Sequence, residues 1–143
     1  MKVIDASVAV KLLILEERSD EASRLWQTWA DEAGELVVAP PLLTAEAISA
    51  LRRRVYRKLI GPEDGNEALG ILWELRIDII EPPGLYERAW RLAHDFDRPN
   101  IYDCCYLALA ELANAQLWTA DERLANAVGD RFPLIRLLGR SDA

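Results

Sequence analysis

Four acids stand where a chain of alternating strands and helices exposes its chemistry. Asp5 closes the run MKVID, Asp121 follows QLWTA, Asp103 lies in the first turn of the apolar stretch YDCCYLALAELA, and Glu46 falls early in the helical pattern after Val37-Val38. In parallel sheets, ligands collect beyond the carboxyl ends of the strands, so four acids at such places can converge. Carboxylates held close together repel, raise one another's pKa and destabilise the fold unless a cation neutralises them. Hard divalent ions do this with oxygen ligands alone, and an all-carboxylate set suits Mg²⁺, or Mn²⁺ in its place, better than zinc. Such an ion orients a phosphodiester, acidifies water and offsets charge on a leaving oxygen. The pattern therefore reads as metal-assisted phosphoryl chemistry.

Each acid also has a plainer role open to it. Asp5 and Asp121 can cap following helices, and Asp103 can oppose a helix dipole three residues after a cap at Asn100. At 100° per residue, Glu46 shares a stripe with Ala50, Arg53 and Arg57, opposite Ile48, Leu51, Val55 and Leu59. That stripe is either a solvated face or the wall of a cleft. The segment Arg52 to Lys58, RRRVYRK, carries five positive charges and no negative one. It is either a soluble helix face or an arm, leading away from the acids, on which Arg53 and Arg57 position phosphates without reading bases.

The elements that must position these residues alternate in type. Strands are expected at 2–4, 35–38, 77–80 and 116–118, with a possible fifth at 134–135. Helices are expected at 6–14, 18–33, 42–59, 63–75, 84–95, 101–114 and 122–128. Strands separated by helices of this length pair in parallel, with crossover helices on both faces. The expected fold class is thus α/β, a three-layer α/β/α arrangement around a central, mainly parallel sheet of four or five strands. Pro40-Pro41, Gly61-Pro62, Pro82-Pro83-Gly84 and Pro99-Asn100 fall between the periodic segments, where a fixed φ and a missing donor do least harm.

With 143 residues and 16.2 kDa, the chain has the size of one domain, read here as residues 1–143. Its 51% hydrophobic content excludes a disordered acidic chain. A net charge of -7 gives no whole-molecule field for phosphate backbones. The average conceals polarity: residues 16–35 hold seven acids and two arginines, against the basic run at 52–58. The only cysteines, Cys104 and Cys105, are adjacent and unsuited to an intrachain disulfide, and they are expected to pack as small hydrophobes. The one histidine, His94, is expected on a helix surface. The amino-terminal run is interrupted by Asp5 and Lys11, and no apolar stretch reaches membrane-spanning length. A cytoplasmic protein that engages no membrane is expected.

The segments VIDASVAVKLL, TAEAISAL, IYDCCYLALA and WTADERL, in this order, closely resemble PIN-domain proteins, and the size and opening motif are most similar to VapC-type toxins of prokaryotic toxin–antitoxin pairs. The resemblance spans roughly residues 1 to 137. It implies a Mg²⁺- or Mn²⁺-dependent endoribonuclease in which Asp5, Glu46, Asp103 and Asp121 form the catalytic, metal-binding quartet. Ser7 and Thr119 match positions whose hydroxyls support the metal site or a substrate phosphate, although helix capping or turn bonding also accounts for them. The implied partners are an RNA substrate, a small VapB-like antitoxin that inserts a segment into the cleft, and a second copy in a homodimer. Candidate contact faces lie around Trp26 and Trp29 and from Leu12 to Leu15, with core packing an equal reading. Two other function classes are compatible with acids at strand ends. A non-catalytic interaction module on the same fold remains open, since fold alone does not fix function. A phospho-acceptor domain needs a lysine near the last strands, and the chain's only lysines are Lys2, Lys11 and Lys58.

Overall fold

The structure, a computed structural model, describes residues 1–140. Residues 141–143, the tail of the span assigned to one domain, lie outside the described residues. Val3 and Ile4 are fully buried in β1 (Lys2–Ile4), which Asp5 ends by capping α1 (Ala6–Leu13) through its side chain. There follow α2 (Ser19–Asp31), β2 (Val37–Ala39), α3 (Leu42–Tyr56), α4 (Pro62–Glu74) and β3 (Asp78–Ile79). The chain continues through α5 (Leu85–Asp95), α6 (Tyr102–Ala113), β4 (Gln116–Thr119), α7 (Glu122–Val128), a single 3₁₀ turn and β5 (Ile135–Leu137).

All four strand pairings are parallel, in the order β3-β2-β1-β4-β5. The α/β expectation holds, with five strands. The central β1 pairs with β2 on one side and β4 on the other, so the order of winding reverses beside it. Such a reversal leaves a crevice at the carboxyl ends of the two diverging strands. Asp5 follows one of them and Asp121 the other.

β1 keeps its expected limits, and the other strands differ from theirs by one or two residues. The fourth extends to Thr119, while the third shrinks to Asp78–Ile79, an edge strand paired on one side only with both residues exposed. Helix α3 stops at Tyr56 rather than residue 59. Lys58 takes a left-handed φ of 60°, and the Leu59 amide bonds back to the Arg54 carbonyl at 2.9 Å, the closure of a helix that ends in a tight turn. Leu59 is consequently 70% exposed instead of completing an apolar stripe.

Helix α6 sits deepest. Seven successive residues, Cys104 to Ala110, are buried, as expected of a helix that is apolar all round and covered on every side. Asn114 ends it in the left-handed conformation that asparagine tolerates. The main core joins α6 to β1, β2, β4 and α5, and a smaller cluster joins Leu13, Ala47, Leu51, Ala68 and Leu72 of α1, α3 and α4. Trp29 is buried and packs on Trp118 with ring centroids 5.8 Å apart and planes tilted 60°, so it serves the core. Leu15, by contrast, is 92% exposed. Among the described residues no helix is long and apolar enough to cross a membrane.

Leu117, fully buried in β4 between β1 and β5, has no route by which its neighbours can collapse into a void. Leu117→Ala is expected to cost about 3 kcal/mol, read as a lower urea midpoint at unchanged slope.

Candidate active site

Asp5 owes its place to the break between β1 and α1. As the helix cap it adopts an extended conformation, and its Oδ1 accepts the Val8 amide at 3.2 Å. The same oxygen accepts the Ser7 hydroxyl at 2.5 Å, and Oδ2 accepts the Thr119 hydroxyl from the end of β4. Ser7 Oγ in turn accepts the Ala120 amide at 2.8 Å, and Thr119 Oγ1 accepts the Asp121 amide at 3.0 Å. Two hydroxyls and one carboxylate thus tie the ends of two strands whose residues are 114 apart in sequence. Thr119 is fully buried and Asp5 only 6% exposed. Burial pushes the Asp5 carboxyl up to about 6, opposed by its hydrogen bonds to Ser7, Thr119 and Val8 and supported by the nearby Asp121 charge.

The other three acids come from three further elements. Asp121 caps α7, accepting the Arg123 and Leu124 amides at 3.0 and 3.3 Å. Glu46, half-buried on α3, accepts the Tyr106 hydroxyl at 2.5 Å from α6. Its pKa is raised, first by burial, with the Tyr106 hydrogen bond opposing, Asp103 adding and Arg53 opposing. Asp103, in the first turn of α6, pairs with Arg98 at 3.1 Å.

All four acids line one pocket of about 310 Å³ at the carboxyl ends of the strands, together with Ser7, Lys11, Glu16, Arg53, Arg54 and Tyr106. A larger hollow of about 690 Å³ lies at the opposite ends of the strands, between Trp26, Trp29, Leu75 and Ile77. It is bigger but lacks the four acids.

Arg53 faces the pocket as the helical stripe predicts, and it makes no hydrogen bond or ion pair within 4 Å among the described residues. Arg57 does not reach it. α3 ends at Tyr56, Arg57 is the residue that closes its last turn, and its side chain is exposed outside the pocket lining. His94 is exposed on α5, as expected. Cys104 and Cys105 are buried and do not line the pocket, and burial pushes the Cys104 thiol up to about 11. Sequence spacing missed Tyr106, Arg98, Arg54 and Glu16. Tyr106 lies three residues after Asp103, one turn along the same helix, and that spacing was the available signal.

The donor set fits a hard divalent cation: hydroxyls and carboxylates line the pocket, with no sulfur or imidazole. No three His, Cys, Asp or Glu side chains close into a metal cage as they stand among the described residues. The reason is visible in the hydrogen bonds, since Asp5, Glu46, Asp103 and Asp121 are each turned toward protein donors. A cation bound there would draw carboxylates away from donors such as Arg98.

A buried carboxyl with a raised pKa stabilises the fold in its protonated form. Its contribution is fully present below the unfolded value of 3.8 and is lost as pH rises through about 6. That difference corresponds to about 3 kcal/mol, and it is already net of the hydrogen bonds from Ser7, Thr119 and Val8, which favour the ionised form. In chelator, the Tm of Asp5→Asn minus that of the wild type is therefore expected to grow from pH 4 to pH 7. A difference flat in pH would contradict the burial of a charge-averse carboxyl.

The profile of the PIN domain matches residues 2–129. The chain is 32% identical over 134 residues to "VapC ribonuclease Mb0985" of Mycobacterium bovis, covering 94% of this chain and 96% of that relative. It is 30% identical over 135 residues to "Ribonuclease VapC3" of Pyrobaculum aerophilum, covering 93% and 95%. Among solved structures, a chain of a toxin–antitoxin complex from Klebsiella pneumoniae superposes with a TM-score of 0.66 at 15% identity, covering 99% of this chain and all of that one, which speaks for the fold. With its sheet order, its acid-lined crevice and these matches along nearly its whole length, the chain belongs to the PIN-domain family, among relatives named VapC ribonucleases.

Proposed function

We propose that this protein is the toxin of a toxin–antitoxin pair and acts as a divalent-metal-dependent endoribonuclease. The observation that carries the reading is the meeting of Asp5, Glu46, Asp103 and Asp121, from four separate elements, in one pocket at the reversal of the sheet. The names of the relatives, VapC ribonucleases, support RNA as the substrate, and the toxin–antitoxin complex from Klebsiella pneumoniae supports an antitoxin as the partner.

Asp5, Asp103 and Asp121 would hold Mg²⁺ or Mn²⁺, with Glu46 completing the set or orienting water. When bound, the ion supplies Lewis acidity and neutralises charge developing on the phosphate. Ser7 and Thr119 fix the Asp5 carboxylate in one orientation, as outer partners of metal ligands do. Tyr106 does the same for Glu46 by donating to Oε1. Arg53, on the same wall as Glu46, holds a flanking phosphate and carries no base preference of its own. Water adds to phosphorus, the bond from phosphorus to the 3′ oxygen breaks, and that oxygen takes a proton, leaving a 5′-phosphate and a 3′-hydroxyl. Because the Asp5 carboxyl sits near 6 without metal, protons compete with the ion in mildly acidic solution.

Purified protein is expected to cut RNA with Mg²⁺ or Mn²⁺ and to stop in chelator. Asp5→Asn and Asp103→Asn are each expected to lower kcat at least about a hundredfold and to abolish the rise in Tm on adding Mn²⁺. Undiminished cleavage by both variants would remove the assignment. Arg53→Ala is expected to weaken single-stranded RNA binding and to reduce the salt slope by about 0.7, the loss of one phosphate contact.

A further inference from the structure

Beside the four acids, the same pocket holds a second, oppositely built group. The Glu16 carboxylate lies in the connection between α1 and α2, and two cations from different helices converge on it. Arg54 of α3 reaches it through Nε at 3.0 Å to Oε2 and through Nη2 at 3.3 Å to Oε1, a forked pair. Lys11 of α1 approaches Oε1 at 3.3 Å. Their side chains are 14% (Lys11), 23% (Glu16) and 27% (Arg54) exposed, so the group is partly shielded but opens onto the pocket.

A planar fork and an ammonium meeting on two oxygens of one anion is the arrangement that arginine and lysine offer to a phosphate. The cations are held independently of Glu16: Arg54 also donates to the Ala50 carbonyl at 3.1 Å, and Lys11 to the Glu17 carbonyl at 2.7 Å. Two positive charges against one negative leave a surplus cation at this wall, which also carries Arg53, whose charge acts on Glu46. Lys11 follows Asp5 by six residues, about 9 Å along α1, which places the group beside the acids and not among them.

We infer that Lys11 and Arg54 form a site for one backbone phosphate of the RNA, neighbouring the phosphate that is cut, and that Glu16 occupies this site as an internal anion until RNA displaces it. The inference rests on the ribonuclease reading above. Glu16 then acts as a brake on RNA binding: the substrate must break two ion pairs before it gains them, and a chain without that carboxylate binds RNA more tightly. Free phosphate shares the chemistry, but a phosphate carried by a strand that also touches Arg53 gains from being tethered.

The test uses the full chain in chelator, with a fluorescent single-stranded RNA of about twelve nucleotides, so that binding is read without cleavage. Glu16→Gln is expected to tighten Kd about three- to tenfold, and Arg54→Ala to weaken it by a similar factor and reduce the salt slope by about 0.7. In the Lys11→Ala/Arg54→Ala background, Glu16→Gln is expected to change nothing, because its effect is routed through those cations. The Mn²⁺-induced rise in Tm should be the same in every variant, since the acids are untouched. Inorganic phosphate at millimolar concentration should compete more effectively against Glu16→Gln than against the wild type. If Glu16→Gln fails to fold, Arg54→Ala still decides. A wild type that cuts RNA while both single variants bind RNA unchanged overturns the phosphate site alone. A wild type that neither binds nor cuts RNA overturns the ribonuclease reading and this site with it.

Discussion

A carboxylate buried at the end of the central strand is the constraint around which the rest is arranged. Asp5 is almost without solvent, and an ionised group in that position is tolerated only when every oxygen is paired. The pairing comes from Ser7, Thr119 and the Val8 amide, and the two hydroxyls in turn accept amides from the loop leading to Asp121. The consequence is mechanical as well as electrostatic. β1 and β4 are joined at their carboxyl ends by side chains as well as by their ladder, so the crevice between them has fixed walls. A site that must place atoms to within a fraction of an ångström gains from being set on such a frame.

The second theme is the separation of charge. A net charge of -7 describes a molecule in which acids converge in the pocket while cations ring one wall of it. The acids do not face one another unrelieved: Asp103 has Arg98, Glu46 has Tyr106 and the field of Arg53, and Glu16 has Lys11 and Arg54. Each local partner lowers the repulsion that would otherwise act against folding. The same partners set what an incoming ligand must displace. The acidic total discourages indiscriminate attachment to nucleic acid, while the cations are confined to one wall of the pocket.

The α/β class, the parallel sheet and the order of elements were legible because hydrophobic runs and turn residues punctuate the chain clearly. The acids were legible for a related reason: Asp5 and Asp121 sit where a strand hands over to a helix. Capping and pocket-lining looked like rival readings of these two residues, and the structure gives both at once, since the first turn of a helix after a strand is also the rim of the crevice. Arg57 stands on the helical stripe of Glu46 and Arg53 but outside the pocket lining, where α3 closes on the left-handed turn at Lys58, a turn that no spacing rule foresees at a non-glycine residue. Tyr106 has a signal in its one-turn spacing from Asp103, but its partner, like those of Arg98 and Arg54, is not legible in the sequence. The Tyr106 and Arg54 partners lie 60 and 38 residues away, and Arg98 depends on a loop whose path is set by tertiary packing.

The bond between Thr119 and Asp5 spans 114 residues, which ties the competence of the protein to the order of its own synthesis. β1 and α1 leave the ribosome before the hydroxyl that orients Asp5 and the strand that flanks it, which follow more than a hundred residues later. Until then Asp5 has neither its neighbour strand nor its second hydroxyl, and Asp121 does not yet exist. A chain that has emerged only as far as α6 carries helices α1 to α6 but lacks the wall of the crevice that β4, Thr119 and Asp121 supply. Long-range closures of this kind are slow to form. The pocket therefore belongs to the finished sheet, and a piece of the chain that stops short of β4 does not contain it.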